Sequence, residues 1–92
     1  TLTLRLILTP FAGQGRGVAK ARGRIEAICL APFQAQRLNA DGTEYRVSVA
    51  EDPQQDLDEV LATLLDDLYR MADTHKCFLE ASLTSGDGRH WD

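Results

Sequence analysis

Residues 52–74 read DPQQDLDEVLATLLDDLYRMADT, and this stretch sets the architecture. Asp52 stands as an N-cap, Pro53 at the first helical position and Gln55 where its side chain reaches back, so a helix is expected over about 53–74. Leu57, Val60, Leu61, Leu64, Leu65, Leu68, Met71 and Ala72 recur at spacings of three and four, an apolar stripe of roughly five turns that must press on a core. The outer side carries Asp56, Glu59, Asp66 and Asp73, flanked by Asp58 and Asp67.

On either side of this helix the pattern changes to period two. Leu2, Leu4, Leu6 and Leu8 alternate with Thr1, Thr3, Arg5 and Ile7, a strand that Pro10 ends. In Cys77–Thr84, Leu79, Ala81 and Leu83 oppose Phe78, Glu80 and Ser82. Segments 33–38 and 43–50 flank Asn39-Ala40-Asp41-Gly42, whose Asp-Gly pair suits a tight hairpin; Tyr45, Val47 and Val49 face inward, Glu44, Arg46 and Ser48 outward. Val18–Ala27 alternates too, with Ala19, Ala21, Gly23, Ile25 and Ala27 opposite Lys20, Arg22, Arg24 and Glu26, and is read as a second strand. Pro32, after the apolar run 28–31, marks a bulge or an edge. The expected fold is a two-layer α+β domain over residues 1–92, in the order β-β-β-β-α-β. One mainly antiparallel sheet of four to five strands carries a single long helix on one face. One helix leaves much of the sheet uncovered, open to water or to a partner.

At 92 residues, 43% hydrophobic and 26% charged, the composition is that of an ordinary globular domain rather than a disordered or fibrous chain. The first apolar run is broken by Arg5 and reads as a strand rather than a targeting segment, and nothing approaches a membrane span. Cys29 and Cys77, 48 positions apart, read as unpaired core thiols, so a cytoplasmic setting is expected. The net charge of −4 is unevenly spread. Residues 1–46 hold seven cations and three anions; residues 47–92 hold three cations and eleven anions. Such polarity points to interaction surfaces.

Parity on the second strand sets Lys20, Arg22 and Arg24 about 7 Å apart along one sheet face, near the spacing of phosphates on a nucleic-acid strand. Arg5 and Arg46 are expected on that face, with Arg16 in the neighbouring glycine loop, and the acidic helix on the opposite side of the sheet. These six cations form the candidate interface for a nucleic-acid backbone or a ribonucleoprotein, with solvated surface charge as the bland alternative. Base reading is not expected, since only Phe78 is placed outward for stacking.

The rival reading is a protein-interaction module, an inhibitor or adaptor docking through Asp56, Glu59 and Asp66, or a homodimer formed by the open sheet face. Gly13-Gln14-Gly15-Arg16-Gly17 lacks the Gly-x-Gly-x-x-Gly spacing and is read as entering a strand, which argues against a dinucleotide site. Cys29, His75, Cys77 and His90 lack metal-clip spacing. Glu26 and Glu80 give a weak carboxylate pair with no pocket indicated. No catalytic residue, metal or cofactor is assigned, and the chain is expected to be a non-enzymatic binding protein without membrane contact. Its size, bipolar charge and helix-on-sheet pattern are of the kind seen among small phage or mobile-element proteins that block CRISPR complexes. That class shares no signature residues, so the likeness assigns no role to any position.

Overall fold

In the computed structural model, which describes residues 1–12, 17–50 and 52–92, the leucine alternation near the start forms strand β1, Leu2–Pro10. Leu2, Leu4, Leu6 and Leu8 are buried, and Thr3, Arg5 and Thr9 are exposed, so one face of the sheet is covered and the other is open. Helix α1, Gly17–Arg24, follows and continues without a break as a wider π segment, Ile25–Leu30, and a tight 3-10 turn, Ala31–Phe33. Strands β2, Gln36–Arg37, and β3, Glu44–Val47, form the expected hairpin. Gly42 takes the left-handed φ of 72° that its turn requires, and the Asn39 side chain accepts the Thr43 and Glu44 N–H groups. Helix α2, Leu57–Thr74, leads to β4, Cys77–Ser85, and a short β5, His90–Trp91.

The α+β class and the antiparallel five-stranded sheet are as expected. The segment read as a second strand is instead α1, so two helices cover the sheet rather than one. Ala21 of α1 and Ile25 and Cys29 of its π continuation are buried at a four-residue repeat, with Leu30 beside them, and the small alanines that mimic alternation are strong helix formers. The residues around Pro32 are therefore a helix end and not a sheet bulge. Helix α2 also begins one turn later than read from Pro53. Asp56 is the N-cap, its side chain accepting the Asp58 N–H at 2.9 Å, whereas Asp52 caps only the preceding turn, at Gln54.

The sheet order is β2-β3-β1-β4-β5. β3 and β4 both run antiparallel to β1 on either side of it, so each helical crossover joins two parallel strands with one strand inserted between them. The βαββαβ order is the ferredoxin-like split βαβ pattern. Right-handed crossovers bring both helices to the same face. Leu61, Leu64, Leu65, Leu68 and Ala72 of α2 and Ile25 and Leu30 of the first helix close one core over Leu4, Leu6, Val47 and Leu83. The C-terminal tail belongs to the fold: Trp91 pairs with Leu83 in register and donates its indole N–H to Asp58 at 2.8 Å.

Candidate interaction surfaces

The six cations expected on one sheet face are divided by the fold. Arg5 on β1 and Arg46 on β3 do share the open face, as parity requires, but Glu44 pairs with Arg5 across the strands and Glu80 pairs with Ile7 beside it. Lys20, Arg22 and Arg24 lie on α1, on the same side of the sheet as the carboxylates of α2 and not across the sheet from them. Arg22 is a structural group, its Nε donating to the Gly42 carbonyl at 3.1 Å. Arg16 lies outside the described residues. The flat row of cations at phosphate spacing is thus not assembled, because a helix turns Arg22 away from Lys20 and Arg24, which lie one turn apart on the same face. Among the described residues the exposed aromatic on the open face is Phe78, 63% exposed and in contact with Phe11, and β1 and β3 present none there.

Glu26 and Glu80 are separated by the sheet. Glu26 accepts both Arg37 Nε and Nη2, at 2.6 and 3.0 Å, and the Tyr45 hydroxyl at 2.8 Å, which ties the first helix to the hairpin. The Arg37 hydrogen bonds hold the Glu26 carboxyl below its ordinary range, against the opposing effect of burial. Burial, and then the bond to Glu26, pushes the Tyr45 phenol up to about 12. Cys29 and Cys77 are buried free thiols whose ionisation burial disfavours, and among the described residues no cluster of His, Cys, Asp and Glu has metal-site geometry. The glycine segment leads into a helix and not a strand, which removes one argument against a dinucleotide site; the absent Gly-x-Gly-x-x-Gly spacing remains.

The feature that spacing alone did not reveal is a groove between α2 and the end of the first helix. It has a volume of about 410 Å³ and a floor of Phe33, Val60 and Leu64, with Asp56, Glu59 and Asp67 around its rim. Asp56 and Glu59 were candidates from the sequence. Asp67 was assigned only to the helix flank, because Phe33 comes from a distant segment that no helical pattern connects to it. Asp66, the third candidate, points elsewhere and pairs with Arg70 one turn on, at 2.8 Å. Among the described residues neither Glu59 nor Asp67 joins an ion pair. A larger cleft of about 620 Å³ lies at the end of the sheet beside Leu2, Val49, Asp52 and Arg89. Its carboxylates are engaged locally, Asp52 by Gln54 N–H and Asp87 by Arg89 and Ser85.

The fold and this groove define a small two-layer α+β domain with an acidic, apolar-floored surface on its helix layer. Comparisons with protein-family models, curated proteins and solved structures return no match, so the functional reading stands on this geometry. No helix among the described residues is long and apolar enough to cross a membrane.

Proposed function

We propose that the chain is a non-enzymatic protein-interaction module that receives a basic segment of a partner in the groove between α2 and Phe33. The observation that carries this reading is the combination in one groove of an apolar floor with carboxylates, Glu59 and Asp67, that join no ion pair among the described residues. An arginine or lysine side chain matches both, its methylene stem lying on Phe33 and Val60 while its charged head meets Glu59 and Asp67. The same acids favour encounter with a basic partner at low ionic strength.

The test is titration of the folded chain with a labelled Arg-rich peptide and with a Glu-rich peptide of equal length, at low and high salt. Selective, salt-sensitive binding of the Arg-rich peptide is expected, with loss of at least tenfold in the Glu59→Lys/Asp67→Lys variant, the equivalent of about 1.4 kcal/mol. Equal binding of the two peptides, or unchanged binding by the variant, overturns the reading. Retention of a single-stranded oligonucleotide that depends on Lys20 and Arg24 favours the nucleic-acid reading in its place.

A further inference from the structure

The helix layer exposes two surfaces of opposite sign side by side. On α1, Lys20 and Arg24 are solvent-exposed one turn apart, and neither joins an ion pair among the described residues. Glu26, further along the same helical segment, is already held by Arg37 and Tyr45. On α2, Asp58 receives Trp91 and Asp66 holds Arg70, which leaves Glu59, Asp67 and Asp73 without an ion pair among the described residues. The surface of the first helix is also low. Ala19, Gly23, Ala27 and Ala31 are exposed, nothing lies within 4 Å of a Cβ added at Gly23, and Ile28 stands out of this surface at 53% exposure.

We propose that the partner of the acidic groove is a second copy of this chain, docked helix layer to helix layer about a two-fold axis. The proposal rests on the reading of α2 as a docking surface and names its occupant. A two-fold operation lays α1 of each copy against α2 of the other, so every contact between Lys20 or Arg24 and Glu59, Asp67 or Asp73 is made twice. The small residues of the first helix let the facing helix approach closely, and Ile28 meets the apolar floor beside Phe33. An unrelated basic segment fills the groove but leaves Ile28 and the α1 cations uncovered, whereas a second copy covers both surfaces in one step. An 18-residue helix is about 27 Å long and two adjacent helices span about 20 Å, so the layer offers on the order of 500 Å² per copy. That lies at the low end of specific interfaces and implies a reversible, salt-sensitive dimer.

Sedimentation velocity over about 5–200 µM in low and high salt tests this. The wild-type chain is expected to dimerise in low salt and dissociate in high salt. Lys20→Glu/Arg24→Glu and Glu59→Arg/Asp67→Arg are each expected to be monomeric with an unchanged circular-dichroism spectrum. Mixing them restores the dimer, because one copy then has two acidic helices and the other two basic ones. A wild-type chain that stays monomeric overturns the proposal, and if it still captures the Arg-rich peptide through Glu59 and Asp67, the interaction reading stands without self-association. A dimer indifferent to salt and to both reversals places the contact on the open sheet face and also overturns it. So does a mixture of folded variants that fails to associate.

Discussion

Replacing Glu26 by alanine tests the joint between the first helix and the hairpin on which both helix surfaces depend. Tyr45 is 1% exposed and its hydroxyl bonds to Glu26, so the substitution leaves a buried donor without a partner, at a cost of about 1–3 kcal/mol. The bidentate contact with Arg37 is partly solvated, with side-chain exposures of 43% and 30%, so after solvent screening its loss is a minor addition. The cost of about 1–3 kcal/mol lowers the melting temperature of a domain this size by about 4–24 °C. Tyr45→Phe removes the hydroxyl itself and is expected to cost about 1 kcal/mol; in that background Glu26→Ala becomes milder, with a coupling of about 1 kcal/mol. The assay is urea denaturation of the four chains in the cycle.

The pH dependence of the same joint has a definite sign. The folded carboxyl of Glu26 is depressed, so its stabilisation is complete above the ordinary glutamate range and is lost as pH falls through the folded value. The stability gap between wild type and Glu26→Gln therefore narrows from about pH 7 to about pH 3. Strict additivity in the cycle, or a gap that does not change with pH, refutes the argument.

Alkaline titration followed by tyrosinate absorbance is expected to show Tyr45 ionising near 12; because the unfolded phenol loses its proton near 10, stability falls as pH rises between these values. A Tyr45 phenol that ionises near 10 while the chain is still folded contradicts this. Gly17→Ala and Gly23→Ala are expected to act in opposite directions. A Cβ at Gly17 meets the His75 backbone oxygen at 2.6 Å and destabilises by about 1–3 kcal/mol, whereas Gly23 has open space and Ala there stabilises the helix by about 0.5–1 kcal/mol, both measurable by thermal melts. Asp58→Ala removes the acceptor of the sole tryptophan, and its emission is expected to shift to the red as Trp91 loosens from α2; an unchanged spectrum argues against tail docking.

The first helix and the start of α2 both depart from the local pattern for physical reasons. Residues 18–27 satisfy a period of two only if alanine and glycine are counted as core residues. Alanine, arginine, lysine and glutamate favour helix, and the segment holds just two β-branched residues, Val18 and Ile25. Propensity was the available signal, and alternation of small residues obscured it. The displaced start of α2 is a competition between two adequate caps, Asp52 and Asp56, that local sequence scarcely separates.

The amino-acid pattern by itself determined the strands around Leu4, Tyr45 and Leu83, the long acidic helix, the Asp41-Gly42 turn and the opposed charges of the two halves, because each depends on neighbours within a few residues. Tertiary structure alone decided that β1 lies between β3 and β4, that Glu26 joins Tyr45 and Arg37, and that Phe33 meets Glu59 and Asp67 in one groove. It also decided that the basic and acidic helices share a layer. These are relations between segments far apart in the chain, set by crossover handedness and by burial of a common apolar face, and no local period encodes them.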